Sequence, residues 1–286
     1  MKVVSSDPIR QAALSHRVFD FPAKLLRGSS LLWLSTFLLG QLAFFYYLMA
    51  FYGVSIAVND LEMWNVFEQF GVIPYIAGDT IGNFAFGFHA LGAGIIAIAG
   101  GLQLVPQVRQ RFPKFHRYNG RMFLLTCVTL TLSGLYLVWI RNAPPSAFND
   151  LKTTFNGVLI LACSYFVLRR VLEGDIKNHS RWAIRLYLVA NGQWFLRVGV
   201  LCYLALGNLI GEANFGDPFF AFWDYAAFVA PLAVLQLYFY AKDRGGSLVQ
   251  SITATFLIVL TLLMFIGIAA LGALHLKIIN GQPLGF

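Results

Sequence analysis

The stretch IGNFAFGFHALGAGIIAIAGGLQLV, Ile81 to Val105, decides what kind of protein this is. It passes without one aspartate, glutamate, lysine or arginine, and its single ionisable group is His89. Crossing a bilayer core of about 30 Å takes roughly 20 apolar residues in a helix, so the run is long enough to span. The rest of the chain agrees. Of 286 residues 58% are hydrophobic and only 12% charged, with a mean hydropathy of +0.67. A soluble domain carries about twice that share of charge. The sequence is that of an integral membrane protein.

Seven such runs stand between polar breaks, at 30–58, 81–105, 119–140, 151–170, 182–208, 219–241 and 249–275. The breaks carry turn residues, among them Pro106 with Pro113, Pro144-Pro145, Gly174-Asp175 and Gly245-Gly246. The expected fold is therefore an all-α bundle of about seven transmembrane helices. Residues 1–29 read as a polar tail and 30–286 as a single membrane domain. The first run is too long for the apolar core of a cleavable signal and reads as an anchor that stays. Leu61 to Phe70, with Trp64, Phe67 and Phe70, suits a short amphipathic helix on the outer membrane surface.

Charge sets the direction. The tail and the breaks near 106–121, 169–185 and 242–244 hold 17 of the 21 lysines and arginines. The other side has Arg141, Lys152 and Lys277 beside seven carboxylates. Cytoplasmic loops accumulate basic residues, so the expected topology puts the N-terminus in the cytoplasm and the C-terminus outside. The formal charge of +8 then reports orientation and anionic lipid and gives no reason to invoke nucleic acid. Cys127, Cys163 and Cys202 all lie inside apolar runs and read as core residues.

Two of the basic breaks are alike. PKFHRYNGRMF, Pro113 to Phe123, and KNHSRWAIR, Lys177 to Arg185, each place a histidine among arginines at the threshold of a span. Anchoring explains the arginines but not the imidazoles, which add little charge. Together with His89, Gly100, Gln103, Pro106, Arg109 and Arg111, these stretches resemble a family of bacterial multi-pass membrane proteins known only as a domain of unknown function. The pattern of that family is an early histidine in one span, a GxxQFxP turn, an RxRxPxxHRxxGRxY stretch and an HRRWMIR stretch two spans later. The resemblance covers about 80–200 and implies a bacterial cytoplasmic membrane, but no activity. The chain departs from the pattern at Leu104, Phe123, Ser180 and Ala183.

Ionisable groups inside a span are costly and mark function by default. His89, Arg197, Asp224, Asn156 and His275 all fall in the outer half. Arg197 can pair with Asp224, and His89 can be satisfied by a backbone carbonyl or by Asn83. On the second span His89 shares a face with Gly92, Ala93, Gly100 and Gln103, flat enough for a neighbouring helix or a planar cofactor. At the inner rim His116, Arg117 and Arg121 can meet His179, Arg181 and Arg185, a set suited to a phosphate, a carboxylate or haem propionates.

Two functions follow. In the first, favoured by the number of histidines, the protein is an electron carrier with haem b on His116 and His179, a second pair in His89 and His275, and a quinone or other redox partner. In the alternative, Arg197, Asp224, Asn156 and Gln103 help to bind or move an anionic or amphiphilic small molecule, or the basic rim docks a partner. No GxSxG, HExxH or phosphate-binding loop is present, and the last span has no mid-membrane lysine for a retinal Schiff base.

Overall fold

A computed structural model describes residues 8–68, 72–141, 147–210 and 217–283, which form helices and no strands. Helix α1 (Pro8–Leu48) continues through a π-turn (Met49–Gly53) into α2 (Val54–Ala57), and a 3₁₀ turn (Glu62–Asn65) follows. Then come α3 (Thr80–Leu104), α4 (Pro106–Arg111), α5 (Pro113–Trp139), α6 (Ala147–Leu172), α7 (Ile176–Ala190), α8 (Gly192–Ile210), α9 (Pro218–Asp243) and α10 (Ser247–Ile279). Six helices are long and apolar enough to cross a membrane, and a seventh span exists if the bent pair α7–α8 counts as one.

Local chemistry sets the ends. Pro106, Pro113 and Pro218 open helices, where a missing N–H costs nothing. The Asp79 and Asp175 carboxylates cap α3 and α7, accepting from the amides of Gly82 and Asn178 at 2.8 and 3.1 Å. Between α6 and α7, Gly174 has φ +75°, a left-handed turn that suits glycine.

One expectation is corrected. The fifth span is not one helix: α7 and α8 meet at Asn191 with a bend of 55°. Asn191 ends α7 by donating its side-chain amide to the Tyr187 carbonyl at 2.8 Å, and its own carbonyl accepts from Trp194 and Phe195 to start α8. An asparagine that offers the backbone such an alternative interrupts a helix. Helix α1 begins at Pro8 and runs through position 29. In Leu61–Phe70, Trp64 is the one buried residue among those described. Trp64 is buried in the bundle, where its indole donates to Ser55 Oγ at 2.6 Å; Phe70 lies outside the described residues.

The spans close a ring in which α1 packs on α3, α3 on α5, α5 on α6, α6 on α7, α8 on α10 and α10 on α1; α9 lies against α7 and α8. One end of the bundle gathers the basic breaks and is called here the basic face. In that half α7 fills the centre of the ring. The Tyr187 ring rests on Gly100 of α3, where any Cβ would collide with it, and its hydroxyl donates to the Ala97 carbonyl at 3.0 Å. At Gly100 the small-residue face of α3, open in the sequence to a neighbouring helix or a planar cofactor, meets a tyrosine of α7. Around it Trp33, Phe37, Trp194 and Phe195 complete an aromatic septum, with Phe37 5.1 Å from both Trp194 and Phe195. Beyond the bend α8 packs on α10.

Candidate functional site

Arg197 stands five residues past the break, about 7.5 Å along α8 at 1.5 Å per residue. It is exposed although it belongs to the middle of a span. Its charge reaches four groups on three other helices: His89 of α3, His275 of α10, and Tyr47 and Tyr52 of the first span. Its one hydrogen bond is local, from Nη1 to the Gln193 carbonyl at 3.0 Å. It has no ion pair among the described residues. The expected pairing with Asp224 is overturned, because Asp224 Oδ1 takes Lys152 Nζ at 2.7 Å. Lys152 lies one turn before Asn156 on α6 and reaches Asp224 first.

Arg141, in the same half, is neutralised too. Arg141 bonds Asp79 through Nε at 2.6 Å, the Pro74 carbonyl at 2.8 Å and Asn83 Oδ1 at 2.7 Å. The Gly82 amide first, and then Arg141, hold the Asp79 carboxyl below the ordinary carboxylate range. Asn83 is used up here and by the Ile76 backbone, so it is not the partner of His89.

The two histidines within reach of Arg197 are held differently. His275 is buried and stacks parallel on Tyr47, with ring centroids 3.7 Å apart. His89 packs its ring against Gly134 of α5, its Cε1 3.1 Å from where a Cβ would sit, and meets the Leu130 backbone. Its Nδ1 is enclosed without a hydrogen-bond partner. Asn156 Oδ1 is also buried and unpartnered, 3.2 Å from the position of a Cβ on Gly192. On α1 Gln41 is 1% exposed, and neither its Oε1 nor its Nε2 finds a partner. Buried polar groups are almost always bonded, so these orphans need an explanation.

At the basic face, Gln103 Nε2 donates to the His116 carbonyl at 3.1 Å and ties α3 to α5. His116 lies within electrostatic reach of both Arg109 and His179, and its Nδ1 is buried and unpartnered. The Nδ1 of His179 lies 3.1 Å from the Val167 carbonyl. The four arginines expected to join this pair take other partners. Arg181 bonds Asp243, and Arg185 bonds Gln236 at 2.9 Å; both lie over the Phe239 ring of α9. Arg117 turns to the Pro113 carbonyl and Arg121 to the Tyr118 ring, both on α5 itself. His116 lies within electrostatic reach of His179, and these four arginines take partners elsewhere. Among the described residues no three of His, Cys, Asp and Glu cluster as metal ligands would.

Sequence reasoning missed Gln41, Tyr47 and Tyr52, which sit in an apolar run where nothing sets them apart from packing residues. It also missed the Arg141–Asp79–Asn83 knot and the Lys152–Asp224 pair, which charges of opposite sign on one side of the membrane only hint at.

Neither a curated protein nor a solved structure matches the chain. A family model described as "predicted membrane protein (DUF2306)" matches residues 86–239, from the third residue before His89 to the α9 phenylalanine under Arg181 and Arg185. That is more than half of the chain, and the protein belongs to this family of membrane proteins of unknown function.

Proposed function

We propose that the protein binds an anionic or amphiphilic small molecule at Arg197, within the membrane. The observation that carries this reading is the state of its cations. Lys152 and Arg141, in the same half of the bundle, each have a carboxylate, and Arg197 has none among the described residues. A cation at mid-span costs about 2.5–3.5 kcal/mol on insertion scales, and a bundle keeps it only where it meets a partner or a cavity. In this reading Arg197 lines a chamber, and a carboxylate or phosphate entering it would supply that partner, within reach of His89, His275, Tyr47 and Tyr52. Thermal unfolding in mild detergent, titrated with short carboxylates, a fatty acid and an alkyl phosphate, tests this. At least one probe should raise the melting temperature of the wild type and leave Arg197→Gln unmoved; equal shifts in both would reject the site.

A second reading keeps one observation. The His179 ring faces the Val167 carbonyl through Nδ1, as metal-binding imidazoles commonly do, which leaves Nε2 free, and His116 lies within electrostatic reach. Haem b between His116 and His179 would make the protein an electron carrier. A reducible Soret band lost in His179→Ala supports it, and a colourless purified protein rejects it.

A further inference from the structure

We infer that the chain does not merely hold its ligand but passes it across the membrane, along a polar route that runs from the Arg197 chamber through the aromatic septum to the His116–His179 pair. This rests on the reading of Arg197 as the ligand site and adds a direction to it.

Three observations carry it. First, polar stations lie on both sides of one narrow closure. A pocket that only senses a ligand needs the chamber alone and has no use for two histidines beyond a closed floor.

Second, the closure is built to part. Its rings come from both sides of the helix break: Tyr187 from α7, Trp194 and Phe195 from α8, meeting Phe37 of α1. The septum is closed by ring contacts. The two side-chain hydrogen bonds from its residues or the break, Tyr187 to Ala97 and Asn191 to Tyr187, hold α7 to α3 and α7 to itself. A small change of the 55° bend would therefore withdraw Trp194 from Phe37 while leaving Tyr187 seated on α3. Broken helices at mid-membrane serve this purpose in carriers generally.

Third, a polar group is buried in the seam itself. Gln41 is one turn beyond Phe37 on α1 and next to Gly40, against which the Trp194 ring packs. Its amide is enclosed with both ends unbonded. In a permanently closed septum an aliphatic residue would fit better, because an unmet amide is a standing cost. A route that opens past Gln41 gives the amide water or ligand to bond.

The experiment reads access and needs no knowledge of the ligand. In a background with Cys127, Cys163 and Cys202 replaced by alanine, Gln41→Cys is reconstituted in sealed liposomes. It is labelled with a membrane-impermeant thiosulfonate from outside, with orientation read separately from Lys177→Cys on the basic face. Passage predicts labelling of Gln41→Cys from both faces, and at least a fivefold faster reaction from the basic face when Phe37 is also changed to Ala, or to Leu should the alanine variant misfold. Labelling from the opposite face alone, unchanged by either Phe37 substitution, would overturn it and leave a dead-end binding site. No labelling from either face would overturn it as well. Loss of anion binding in the detergent titration would instead fall on the proposed function, so the two failures are told apart.

Discussion

Replacing Arg197 with glutamine should make the empty protein more stable and the ligand-exposed protein less so. The wild-type guanidinium sits at mid-span without a carboxylate among the described residues, a placement worth about 2.5–3.5 kcal/mol of penalty when lipid surrounds it. Arg197 is exposed to its chamber, which water screens, so about 1 kcal/mol is a fair share to recover on removing the charge. For a chain of this length that corresponds to a rise in melting temperature of roughly 2 °C in detergent. An anion at a hundredfold excess over its dissociation constant stabilises the wild type by about 2.7 kcal/mol, or roughly 5 °C on the same scale. The two curves therefore cross: the variant melts higher without ligand and lower with it. Scanning calorimetry or dye-monitored unfolding with and without the best probe of the anion series measures both arms. Destabilisation of the ligand-free variant, with the ligand shift intact, would refute the reasoning, because Arg197 would then be a structural residue whose Gln193 bond matters more than its charge.

Lys152→Met leaves the Asp224 carboxylate unpaired and should cost about 2 kcal/mol, less than a fully buried pair would, because Asp224 is 32% exposed. The double variant with Asp224→Asn should recover most of that in the same melt. At Asp79 the folded carboxyl titrates below its unfolded value, so its contribution is present above about pH 4 and drains away as pH falls through the folded value. Asp79→Asn should flatten that acid limb in a pH series of melting temperatures, and an unchanged limb would remove Asp79 from its origin. Gly100→Ala drives a methyl into the Tyr187 ring and should lose about 1–3 kcal/mol by overpacking. Combined with Tyr187→Val the loss should be less than additive, and strict additivity would mean that the two residues do not meet.

Spans were legible because their cause is local. Ile81–Val105 is long and uncharged, the bilayer demands both, and α3 matches it within a residue at each end. The bend in the fifth run was not, although Asn191 was in view. Hydropathy scores the composition of a helix and not its direction, and an asparagine inside an apolar run reads as one tolerated polar residue. Its effect depends on where the amide turns, and only the packed structure shows it bonded to Tyr187. The site follows the same division. His89, Arg197 and His275 were legible as costly residues at similar depth, yet their assembly around one chamber depends on α8 swinging aside at the break. The mistaken Arg197–Asp224 pair shows why depth is not enough: Asp224 had Lys152 as well as Arg197 within its half of the membrane, and the fold gave it Lys152. That choice has a consequence for function. Had Asp224 gone to Arg197, the chamber would be electrically closed and Lys152 would carry the spare charge on α6, away from both histidines. With Lys152 satisfied, Arg197 is left without a carboxylate among the described residues and within electrostatic reach of two imidazoles and two phenols.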